Sequence, residues 1–147
     1  MHKFEEQKFN IGPLKGISAK NIEEHLKLYA GYVKNINLIF EKLGELMTEP
    51  EKNAYVIGEL HRRIGFEFNG MRNHEYYFKS LEDGPKALPK DSELRLAIEK
   101  VAPSFTAAMM GFKTLAMTRG VGWAMLYWDK QSKQLIPAWI DEQQLGQ

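Results

Sequence analysis

The chain has 147 residues and a formal net charge of +1, the difference between 20 Lys and Arg and 19 Asp and Glu, and it contains no cysteine. That balance gives no broad basic field for nucleic acid, and the lack of thiols excludes disulfides, thiolate metal sites and iron–sulfur clusters. With 44% hydrophobic and 27% charged residues, it reads as one globular domain, or two small lobes sharing a core.

The opening stretch "MHKFEEQKFN" is charged and has no apolar signal core. No run approaches the roughly 20 apolar residues of a membrane span, so a cytoplasmic protein with no membrane partner is expected. Residues 1–17 read as an irregular lead-in, broken by Gly12, Pro13 and Gly16. Ser18 then caps a helix running to about Met47, with an apolar stripe of Ile22, Tyr29, Val33, Ile36, Phe40, Leu43 and Met47. Gly31, inside that helix, points to close packing or to a local irregularity. In "IEEHLKLYAGYVKNIN", His25, Tyr29 and Tyr32 share one face, because steps of four and seven residues return to nearly the same side of a helix. That face also holds Ile22, Val33 and Ile36, so the histidine points at a core and must be satisfied there. Two readings stay open: a hydrogen bond to a tyrosine or a backbone carbonyl, or a bond to a metal.

Pro50 separates a second helix, about Glu51 to Leu81, whose apolar series is Ile57, Leu60, Ile64, Phe68, Met71 and Tyr77. Two long helices joined by a tight link make an antiparallel hairpin. "EDGPKALPK" reads as the linker to a second lobe. Ser92 can cap "ELRLAIEKVA", Pro103 breaks that helix, and "SFTAAMMGFKTLAMTR" begins another. The period then changes: "WAMLYWD" and "QLIPAWI" read as strands joined through "KQSK". The expected class is α+β. A long antiparallel helical hairpin over residues 1–83 precedes an α/β C-terminal domain over residues 84–147, with a small antiparallel sheet that looks incomplete.

A second histidine, His74, lies near the end of helix two in "NHEYYF". In an antiparallel hairpin the start of helix one faces the end of helix two, so His25 and His74 could meet across the seam, as metal ligands do in helical bundles. Two histidines alone do not define a site. His2, in the terminus, and His61, thirteen residues before His74 and so on a different face, are the weaker candidates.

The segments "GISAKNIEEHLKLYAGYVKNIN", "NHEYYF" and "GVGWAMLYWDKQSKQLIPAW", in this order, resemble the iron/manganese superoxide dismutases over nearly the whole chain. The resemblance implies one Fe or Mn ion per subunit, with His25 and His74 as its first two ligands. Superoxide would be the substrate, disproportionated to hydrogen peroxide and dioxygen. Tyr32 is similar to the family's gateway tyrosine, which lines the substrate channel and relays protons, and Trp123 to the tryptophan that walls the active site. Tyr77 and Phe78 sit where the family places aromatics beside the metal. Gln143, with the adjacent Gln144 as its alternative, stands near the place of the outer-sphere glutamine. In the family's iron-type subgroup that glutamine comes from helix two, at the position that is Gly70 here, so the resemblance is to the manganese-type arrangement and implies manganese or dual-metal use. A homodimer, or a tetramer, is implied.

The sequence departs from the family pattern in two ways. Tyr32 follows His25 by seven positions, one fewer than usual, and Tyr29 stands where the resemblance places a second-shell histidine in many members. The family's other two ligands, an aspartate and a histidine, belong to a later "D-x-W-E-H"-like motif, and no Asp or Glu stands four residues before any of the four histidines here. The expectation is a dismutase whose remaining ligands follow Gln147. The alternative is a non-catalytic, dismutase-like structural subunit without a complete metal site.

Overall fold

The computed structural model describes residues 3–143, which form an α+β fold of four helices and one two-stranded antiparallel sheet. The chain divides into two compact units. The first extends to Pro85 and includes Gln143; the second is Lys86–Glu142.

In the first unit, α1 (Ala19–Leu46) begins where Ser18 Oγ accepts the backbone N–H of Asn21 at 3.1 Å. It buries Ile22, Tyr29, Val33, Ile36, Ile39 and Leu43, a stripe with helical spacing. Met47, expected to extend that stripe, is the C-cap and is 55% exposed, because the helix ends before its side chain can turn inward. The second helix, α2 (Ala54–Ser80), starts three residues later than Glu51. Residues 50–53 are turns, and the Asn53 side-chain amide donates to the carbonyls of Leu46 and Glu49, tying the link to the end of α1. Contacts between early α1 and late α2, such as Tyr29 with Glu75 and Asn35 with Glu67, show that the two helices run antiparallel.

The core of this unit is Tyr29, Val33, Ile36, Met71 and Phe78. Fully burying each large apolar side chain contributes about 1.5–3 kcal/mol. The lead-in is irregular yet tied down. Phe4 N–H donates to the Asn37 side-chain oxygen at 2.9 Å, and the Asn37 amide returns a bond to Phe4 O at 2.9 Å. Phe9 packs against Tyr29 and Phe78 with ring centroids 5.8 and 5.3 Å apart. The inward face of α2 is far more polar than its apolar series suggests: Glu67, Asn69, Asn73, His74 and Glu75 are buried, while Ile57, Leu60, Ile64, Phe68 and Tyr77 are only half-buried.

In the second unit, α3 (Glu93–Val101) and α4 (Phe105–Ala116) are capped by Ser92 and Ser104, each accepting a backbone N–H from three residues on. Strands β1 (Gly122–Asp129) and β2 (Gln134–Asp141) pair from Gly122 with Asp141 to Asp129 with Gln134. The Asp129 carboxylate closes the turn on the backbone N–H groups of Gln131 and Ser132. Both helices pack on the hairpin. Among the described residues of this unit only Ile98 and Leu135 are buried apolar ones, and α4 buries none of its residues despite an apolar sequence. No described helix is long and apolar enough to cross a membrane.

Candidate metal centre

His25 from α1 and His74 from α2 meet across the helical seam, with ring centroids 4.8 Å apart and ring planes at 80°. Tyr77 and Phe78 flank His25, their centroids 5.2 and 5.1 Å from its ring. His74 is 2% exposed, and its Nδ1 lies 2.5 Å from the carbonyl oxygen of Gly70, one helical turn earlier. A carbonyl can only accept, so Nδ1 carries the proton and Nε2 the in-plane lone pair. This contact fixes both tautomer and ring orientation, as the outer partner of a metal-binding histidine does.

Burial pushes the pKa of His74 down to about 4. The bond to Gly70 opposes that shift, and the charge of His25 adds slightly to it. Burial also lowers the pKa of His25. Both rings are therefore neutral near pH 7, the form that donates a lone pair to a cation. Two neutral imidazoles fit one side of a nitrogen- and oxygen-ligated Fe or Mn site. Among the described residues no group of three or more His, Cys, Asp or Glu is placed to complete one.

The Tyr32 ring lies 5.1 Å from the His74 ring, and its hydroxyl oxygen accepts the Gln143 Nε2–H at 2.5 Å. Gln143 is 6% exposed and reaches this point from 111 residues further along the chain. His25, His74, Tyr32 and Gln143 thus form one cluster in the first unit. Trp123 is half-buried in β1 of the second unit. His61 is exposed, and His2 and Gln144 lie outside the described residues.

Sequence reasoning missed the charged groups behind the cluster. Tyr29 receives Gln7 N–H at 2.9 Å and donates to Glu75 Oε1 at 3.1 Å, and Arg72 Nη1 meets Glu75 Oε2 at 2.5 Å. Burial raises the Tyr29 pKa to about 12, opposed by the Gln7 N–H and reinforced by Glu75. Glu67 is held by Arg63 Nε at 2.9 Å and Asn35 Nδ2 at 3.4 Å. In the sequence, Arg72–Glu75 and Arg63–Glu67 look like ordinary surface pairs three and four residues apart. The signal lay in the period. Residues 67, 71, 74 and 78 are spaced four, three and four apart, which puts Glu67 on the stripe of Met71, His74 and Phe78.

No family model matches the chain. It is 33% identical to the iron superoxide dismutase of Aquifex pyrophilus over 96% of this chain and 68% of that protein. To the iron superoxide dismutase of Cupriavidus metallidurans it is 32% identical, over 88% of this chain and 65% of the relative. To the mitochondrial manganese superoxide dismutase of Glossina morsitans morsitans it is 30% identical, over 86% of this chain and 58% of the relative. A helical hairpin with two facing histidines, followed by an α+β unit, is the architecture expected of that class of oxidoreductase. The chain belongs to the iron/manganese superoxide dismutase family and spans 58% to 68% of the length of these three relatives, whose names divide between the two metals.

Proposed function

We propose that the protein is a superoxide dismutase, converting two superoxide anions and two protons into dioxygen and hydrogen peroxide at one Fe or Mn ion per subunit. The observation that carries this reading is the convergence of the His25 and His74 imidazoles beside the Tyr32–Gln143 hydrogen bond. His25 and His74 would hold the metal through neutral ring nitrogens, and the remaining ligands would come from outside the described residues. The ion, when bound, supplies a one-electron couple between its +3 and +2 states. Tyr32 accepts a hydrogen bond from Gln143, so its own hydroxyl proton can be donated elsewhere, which suits a group that feeds protons to the peroxide-forming half. Gln143 would orient that hydroxyl and tune the metal from the outer sphere. Trp123 is the proposed wall of the substrate channel, on the strength of the family resemblance alone.

The absence of a side chain at Gly70, with Gln143 reaching in from the far end of the chain, supports the manganese-type arrangement of the glutamine. A homodimer or tetramer in the cytoplasm completes the reading. Metal analysis and a superoxide-consumption assay on the purified protein test it. Full activity with one redox metal per chain is expected, and a His74→Ala variant should retain no metal. A variant that kept its metal would remove the histidine from the ligand set.

A further inference from the structure

Glu67 is a carboxylate in the core, 3% exposed, which is unfavourable unless donors meet it. Two do, from different helices. Arg63, one turn earlier on α2, reaches it through Nε, and Asn35 reaches it from α1, three residues beyond Tyr32. Held in this way, the Arg63 guanidinium carbon lies 3.9 Å from the centroid of the Phe66 ring, where a planar cation stacks well. Phe66 in turn packs against Tyr32, centroid to centroid 5.9 Å, at 52°. The backbone of Gly70 also lies against the Tyr32 ring, close enough that a Cβ there would meet ring carbons at 2.6 and 2.7 Å.

We propose that Arg63 and Glu67 are positioning residues for Tyr32. Glu67 fixes Arg63, Arg63 fixes Phe66, and Phe66 sets where the Tyr32 ring stands and so where its hydroxyl meets Gln143. The guanidinium is half-exposed, with its charge offset by a carboxylate 2.9 Å away, so its part is placement of a ring rather than attraction of an anion. The placement concerns the chain as it stands; its effect on turnover rests on the dismutase reading.

Arg63→Met tests this directly, because it keeps an unbranched stem at a half-exposed position and removes the planar cation. The probe is the intact chain labelled with 13C in its tyrosine rings and 15N in its glutamine side-chain amides, with the Tyr32 and Gln143 signals assigned from Tyr32→Phe and Gln143→Glu variants. The Tyr32 ring and the Gln143 side-chain amide signals should shift in Arg63→Met, while those of Tyr55 and Tyr127 hold still and helical content is unchanged. Tyr32 and Gln143 signals superimposable on the wild type would overturn the proposal. Glu67→Gln should move the same two signals; if that variant does not fold, Arg63→Met decides alone. In superoxide consumption, Arg63→Met should slow the wild type and have no further effect in a Tyr32→Phe background, since a relay through Tyr32 is lost with its hydroxyl. Equal slowing in both backgrounds would overturn the relay. A wild type that binds metal but consumes no superoxide would sink the dismutase reading and leave the spectroscopic outcome to decide the placement.

Discussion

Gly70 and Tyr32 are packed so closely that no side chain fits at position 70: a Cβ there would lie 2.6 Å from Cδ1 of the Tyr32 ring and 3.0 Å from Gln143 Nε2. Helical glycine is otherwise a cost of about 1 kcal/mol relative to alanine. Here the missing side chain is the space that the phenol and the amide occupy. The space that a side chain at position 70 would need is thus filled by Tyr32 and Gln143 themselves.

Gly70→Ala should therefore be destabilising although alanine is the better helix former. Overpacking of this kind costs about 1–3 kcal/mol, against a propensity gain of about 1 kcal/mol. The Tyr32 ring, wedged against Phe66, cannot retreat without breaking its bond to Gln143. A lower urea midpoint with an unchanged slope, together with a displaced Gln143 amide signal, is the expected result. A midpoint at or above the wild-type value would mean the ring moves aside at no cost.

The sequence made the helices, their Ser18 and Ser92 caps and the strand pair legible, because each rests on local signals: a capping hydroxyl, a periodic stripe, a switch from period 3.6 to period 2. His25 and His74 were legible as a facing pair because hairpin geometry alone brings the two ends together. The resemblance, not the periodicity, pointed to Gln143, since no local rule ties a glutamine to a tyrosine 111 residues away. The buried charges were not legible. A glutamate four residues from an arginine looks the same in sequence whether it faces water or a core. Met47 failed in the opposite sense: it keeps the period but falls just past the end of the helix and is exposed.

The Tyr29 hydroxyl has two partners inside the chain. It accepts Gln7 N–H and donates to the buried Glu75 carboxylate. Tyr29→Phe keeps the ring that packs on Phe9 and Phe78 but leaves the Gln7 amide without this acceptor and Glu75 without this donor. The cost of stranding such groups is about 1–3 kcal/mol, with Arg72 still holding the other carboxylate oxygen. Chemical denaturation should register that loss, and hydrogen exchange should show faster opening around Gln7. If the variant matched the wild type in both, water would be replacing the hydroxyl and the network would contribute no stability.

The histidine pair makes the metal-free protein sensitive to mild acid, and the sign follows from the burial of His74. Its folded pKa is about 4, against an ordinary value of 6.5 in the unfolded chain. Above pH 6.5 neither state binds the proton and the group adds nothing to pH dependence. Between about 6.5 and 4 the unfolded chain takes up a proton that the folded chain refuses, so stability falls as pH falls. Below about 4 both states are protonated and the loss levels off. By linkage, the drop between pH 7 and pH 5 is about 2 kcal/mol from His74, and burial of His25 acts in the same direction. Urea denaturation of the metal-free protein at the two pH values measures it. His74→Gln, which cannot titrate, isolates the contribution from that of the carboxylates, and its pH dependence should be shallower by that amount. On the proposed ligand assignment a bound metal would need the same lone pairs, so acid should also strip the ion over this range, and an added redox metal should restore stability at pH 7 more than at pH 5. An unaltered slope in His74→Gln would mean that the imidazole is no harder to protonate in the folded protein than in water, and that the seam around it is open.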